Sequence, residues 1–87
     1  DLFSSELEAD SVNLISVDCL AEPKRVTAKI RYRHKEQPAT AWQTQDGILH
    51  VKFDEPQRAI TKGQAVVMYD GDEVVGGGVI NKIYSQS

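Results

Sequence analysis

From Lys24 to Lys35 apolar and polar positions alternate with a period of two: Val26, Ala28, Ile30 and Tyr32 fall on one side, Thr27, Lys29, Arg31 and Arg33 on the other. Successive side chains of a β-strand point to opposite faces, so this spacing predicts a strand with one buried face and one in water. Ser11–Leu20 alternates less cleanly. There Val12, Leu14 and Ser16 oppose Asn13, Ile15, Val17 and Cys19, which predicts a first strand covered in part on both faces. Ala21-Glu22-Pro23 ends it, because proline lacks the ladder donor and holds its predecessor extended.

After a polar loop over His34–Pro38, Ala39–Gln45 predicts a third strand, with Ala39, Ala41 and Gln43 alternating against Thr40, Trp42 and Thr44. Asp46-Gly47 is the strongest hairpin signal in the chain, since both positions tolerate positive φ, and Ile48–Phe53 is the returning strand. Asp54–Gln64 reads as an irregular excursion, too closely bracketed by Pro56 and Gly63 for a helix. Within it Thr61-Lys62-Gly63-Gln64 predicts a type II turn. Ala65–Tyr69 and Glu73–Tyr84 form a last strand pair joined at Asp70-Gly71-Asp72. Gly76-Gly77-Gly78 inside that pair marks a bulge, a barrel corner or the close approach of another backbone. Six short strands separated by turns predict an all-β protein, a small antiparallel barrel. Residues 1–10 lack a steady period and are expected as an extended lead-in from a preceding domain, docked by Leu2, Phe3 and Leu7, with the barrel over residues 11–87.

Composition narrows this picture. Eighty-seven residues with 40% hydrophobic and 26% charged content make one globular domain near the lower size limit for a disulfide-free core. With Cys19 as the one cysteine, neither an intrachain disulfide nor a cysteine zinc cluster can form, which fits a reducing cytoplasm. The chain begins at Asp1 without the pattern of a signal peptide, and its apolar runs are too short for a membrane-spanning helix. A piece of a longer cytoplasmic protein with no membrane partner is expected.

Net charge is −3, which taken alone opposes nucleic-acid binding. The charges are segregated, however. Asp1, Glu6, Glu8, Asp10, Asp18 and Glu22 precede any cation, whereas Lys24, Arg25, Lys29, Arg31, Arg33 and Lys35 follow with no acid between them.

Candidate chemistry is sparse. Cys19 sits in an apolar strand pattern, where a free cysteine is ordinarily a small hydrophobe. His34 and His50 have no carboxylate cluster with which to hold a metal. Asp54-Glu55 and Asp70, Asp72, Glu73 flank turns, where acids are solvated or satisfy loop amides. The triple glycine matches neither the dinucleotide fingerprint nor a P-loop. No catalytic residue, cofactor site or metal site is expected.

What remains is the row Lys29, Arg31, Arg33, spaced about 6.6 Å apart along one strand face, able to follow a phosphate backbone. The same row is equally compatible with a solvated strand face or with ion pairs to acids on neighbouring strands. Trp42, Tyr32, Tyr69 and Tyr84 could stack on bases, though aromatics of small barrels ordinarily serve the core.

Three segments together resemble the C-terminal domain of the bacterial tRNA-specific 2-thiouridylase family, formerly labelled tRNA (5-methylaminomethyl-2-thiouridylate)-methyltransferase. They are Lys29-Ile30-Arg31-Tyr32-Arg33, then Phe53-Asp54-Glu55-Pro56-Gln57-Arg58-Ala59-Ile60-Thr61 with Gly63-Gln64, and Tyr69-Asp70-Gly71 with Gly76-Gly77-Gly78-Val79-Ile80. Leu2-Phe3-Ser4 and Val12-Asn13 are similar to the family's entry into this domain.

The resemblance implies a six-stranded barrel similar to those of translation elongation factors, attached to an ATP-using (with Mg) catalytic domain and a central domain. The parent would thiolate the wobble uridine of tRNA with sulfur from a donor protein, using cysteines outside this region that Cys19 does not match. It further implies that the barrel contributes to holding tRNA, with Lys29, Arg31, Arg33, Arg58 and Lys62 as the candidate RNA contacts; a barrel that only braces the catalytic domain is the alternative. Lys62 departs from the family pattern, where proline precedes the turn glycine, and Leu14 stands where tryptophan is usual.

Overall fold

A computed structural model describes residues 3–18, 20–30, 35–58 and 60–84. Six strands, β1 (Phe3–Leu14), β2 (Lys24–Lys29), β3 (Gln37–Gln43), β4 (Leu49–Arg58), β5 (Ala65–Asp70) and β6 (Glu73–Tyr84), close into a barrel in the order β1-β4-β3-β2-β5-β6, every pair antiparallel. Closure gives every strand a neighbour on both sides, so none lies at the edge of the sheet. The predicted all-β barrel of six antiparallel strands is therefore the fold.

The interior is made by alternate residues of the strands. Leu7 and Ala9 of β1, Val26 and Ala28 of β2, Ala39 and Ala41 of β3, Leu49, Val51 and Phe53 of β4, Val66 and Met68 of β5, and Val75 and Ile80 of β6 are all buried. Alanine on β2 and β3 faces larger residues on β4 and β5, the small-against-large complement that fills a narrow barrel.

Several expected boundaries move. Residues 3–10, expected as a lead-in, belong to β1, and Leu7 and Ala9 are completely buried in the core. Ser11–Leu20 is not one strand: β1 stops at Leu14, and the amides of Ile15 and Ser16 turn onto the carbonyl of Val75. The period was hidden by irregularities, one between Ser4 and Glu6 against β4 and two against β6, the second at Asp10–Asn13. An extra residue in one strand re-aims the side chains that follow it, so alternation breaks without the strand ending. At the second β6 irregularity Ser11 takes φ 50°.

β2 ends at Lys29, so the strand expected as far as Lys35 is shorter, and Arg31, Tyr32, Arg33 and His34 lie outside the described residues. β3 starts two residues early, at Gln37; Pro38 pairs with Thr27 of β2 and has no partner in β4, whose first pair is Ala39 with Phe53. β4 runs through the excursion expected from Asp54. Asp54, Glu55 and Pro56 are exposed and fall between the ladder pairs Glu6–Lys52 and Ser4–Gln57, so proline is tolerated at a bulge.

The hairpin between β3 and β4 needs positive φ only at Gly47 (85°), not at Asp46. Gly47 N donates to Thr44 O (2.9 Å) and Thr44 N to Ile48 O (2.9 Å), a three-residue loop closed by glycine. The turn at Thr61–Gln64 forms as expected, with Gly63 at φ 90°.

Candidate nucleic-acid interface

Strand direction sorts the charged residues by barrel end. β2 rises from Lys24 to Lys29, β3 descends from Gln37, β4 rises to Arg58 and β5 descends from Ala65. One end therefore collects Lys29 at the tip of β2, Lys35 before β3, Arg58 at the tip of β4 and Lys62 in the turn before β5, with Glu6, Glu36, Asp54 and Glu55 as acids nearby. The opposite end collects Asp18 and Glu22 of the β1–β2 crossover, Asp46 of one hairpin, and Asp70, Asp72 and Glu73 of the other. Lys24 is the cation there, and its Nζ lies 3.1 Å from Asp70 Oδ2.

The outward face of β2 is not a continuous row of available cations. Arg25 donates from Nη1 and Nη2 to the two carboxylate oxygens of Asp54, each at 2.7 Å, and from Nη1 to Thr40 Oγ1 at 3.0 Å. That hydrogen-bonded guanidinium holds the Asp54 carboxyl below the usual carboxylate range, and the carboxylate raises Arg25 in turn. Thr27, next along the face, donates to Glu36 (2.9 Å).

Lys29 and Arg58 are thus brought to one end together with Lys62. Arg31 and Arg33 fall outside the described residues. Lys35, which closes the basic run in the sequence and was not among the expected contacts, joins Arg58 in lining one small cleft with Ala28, Ile30, Gln37, Phe53 and Gln57. Its signal was its position as the last of six cations, but only the β3–β4 register carries it next to Arg58.

Two of the four candidate stacking residues have partners within the protein, and Tyr32 lies outside the described residues. Trp42 stacks on its cross-strand partner His50, ring centroids 5.3 Å apart and planes 6° from parallel, on the outside of β3 and β4. Tyr84 donates its hydroxyl to Glu8 and lies under Lys82 Nζ, 4.9 Å from the ring centre. At the acidic end the Thr44 hydroxyl, donating to Asp46, holds that carboxyl below its ordinary value. Among the described residues no group of three or more His, Cys, Asp or Glu is placed to hold a metal, and no helix is long and apolar enough to cross a membrane.

Closed and antiparallel, the molecule is a β-barrel domain, and the chain belongs to the aminomethyltransferase beta-barrel domain family, whose model matches residues 4–80. Its relatives are more particular. The chain is 61% identical over 82 residues to the tRNA-specific 2-thiouridylase MnmA of Clostridioides difficile (strain 630), covering 94% of this chain and 23% of that protein. It is 56% identical over 80 residues to the enzyme of the same name from Acetivibrio thermocellus, covering 92% of this chain and 22% of that one. It is 45% identical over 86 residues to that of Shouchella clausii (strain KSM-K16), covering 99% and 24%. The chain thus spans less than a quarter of the length of these curated relatives and corresponds to their C-terminal part.

Proposed function

We propose that this barrel is the C-terminal module of a cytoplasmic tRNA 2-thiouridylase and that it holds tRNA by its basic end, while ATP, Mg, the sulfur-donor protein and the chemistry belong to the parent's catalytic and central domains. The observation that supports this most directly is the separation of charge along the barrel axis. Lys29, Arg58 and Lys62, far apart in sequence, share one end with Lys35, and the acids of three connections share the other. A phosphate backbone approaching such a body is attracted to one end and repelled from the other, so orientation follows from charge before any specific contact forms. Arg31 and Arg33 complete the proposed contact set.

In the full-length protein, replacing Lys29, Lys35, Arg58 and Lys62 together by Ala should weaken tRNA binding and flatten its salt dependence by about 2 in log–log slope, at about 0.7 per phosphate neutralised. Unchanged affinity and slope would show that the basic end does not touch RNA. A second reading, a barrel that only braces the catalytic domain, draws on a different surface: Ile15 and Val79 are exposed beside a shallow groove along Gly76–Gly78 and Val67. Under it, Ile15→Asp would loosen the longer protein without altering its affinity for tRNA.

A further inference from the structure

We infer that the cleft lined by Lys35, Gln37, Gln57 and Arg58 is a subsite for one ribose-phosphate unit of RNA, an inference that rests on the RNA-holding reading and deepens it. The floor of the cleft is apolar, formed by the buried Ala28 and Phe53 and the half-buried Ile30; its rim carries two cations and two carboxamides. Lys35 and Arg58 are exposed, and among the described residues neither makes an ion pair. Two cations beside one opening suit a single anion.

The carboxamides add a second requirement. Gln57 turns its Nε2 onto the carbonyl of Glu55 (2.9 Å) and Gln37 turns its Nε2 onto that of Lys35 (3.5 Å). Each Oε1 is left without a protein donor among the described residues, so both offer acceptors to a ligand. A ligand that engages the rim therefore presents an anion and a hydrogen-bond donor close together, a single hydroxyl proton serving one of the two acceptors. Within one nucleotide, RNA has both in its phosphate and its 2′-hydroxyl, whereas DNA lacks the donor. The cleft is small and half open, so a ligand would meet it with a backbone oxygen and a hydroxyl laid against the rim. The subsite reads sugar and backbone, and is indifferent to sequence.

The test is a titration of this chain, observed by amide resonances, with hexauridylate RNA and with the matching deoxy-oligomer at several salt concentrations. RNA should shift Ile30, Lys35, Gln37, Gln57 and Arg58, and should bind about fivefold more tightly than DNA, the equivalent of one neutral hydrogen bond. Lys35→Ala with Arg58→Ala should lower the salt slope by about 0.7, not 1.4, because both cations serve one phosphate. Gln37→Leu with Gln57→Leu should erase the preference for RNA while leaving the slope intact; unchanged amide dispersion confirms that each variant is folded. If RNA binds but these amides are still, or the variants bind as the wild type does, the subsite is refuted while the basic end stands. If neither oligomer binds at low salt, the RNA-holding reading falls and the subsite with it.

Discussion

Arg25 shows how one residue separates a basic sequence from a basic surface. It sits in the densest run of cations in the chain, yet both guanidinium arms are spent on Asp54, a residue 29 positions away. The two oppose each other across β3, with Thr40 between them accepting a third hydrogen bond. The pair is exposed and solvent screens it, so its signature is a pH dependence and not a large stability increment. Asp54 titrates lower in the folded chain than when unfolded. Its contribution is therefore present above the unfolded aspartate value of about 3.9 and is lost as pH falls through the lower folded value. Asp54→Asn should accordingly reduce the thermal midpoint at pH 7 and leave it nearly unchanged at pH 2, a contrast that paired melting curves would register.

At the scale of the element, β6 is defined by what its glycines permit. A Cβ on Gly77 would lie 2.2 Å from the carbonyl oxygen of Val66, and one on Gly76, at φ 152°, would lie 2.4 Å from that of Asn13. Both obstacles are backbone, so they cannot swing aside. Gly77→Ala should cost about 1–3 kcal/mol, measured by urea denaturation, because one strand must shift against its neighbour. Asp72→Ala, in the exposed hairpin tip, should stay within about 0.5 kcal/mol.

That the triple glycine marks a bulge, a corner or a close backbone approach was legible in the sequence, as were β5, β6, the first half of β2 and the positions of all three tight turns. The extents of β1 and β4 were not. Bulges at Ser4–Glu6 and Asp10–Asn13 break the period of β1, and Pro56 imitates a strand terminus while sitting in a stretch with no ladder partner to lose.

For the whole molecule, closure makes β1 indispensable, since it is the strand that joins β4 to β6. Leu7 is completely buried, and Leu7→Ala should destabilise the barrel by about 2–5 kcal/mol, read from the shift in denaturation midpoint. If residues 3–10 were a lead-in docked on the outside of the barrel, the same change would cost much less.

The sequence by itself determined that the chain folds as strands, where the tight turns fall, how the residues of β2 to β4 divide between two faces, and that cations are concentrated between Lys24 and Lys35. Those properties are local, written in two-residue periodicity and in glycine, and need no knowledge of neighbours. Tertiary structure alone decided which strands meet, and hence that Arg25 is neutralised, that Lys35 and Arg58 line one cleft, and that the acids gather at the opposite end. Charge pairing depends on distance in space, and barrel closure sets those distances by a register that no single segment encodes.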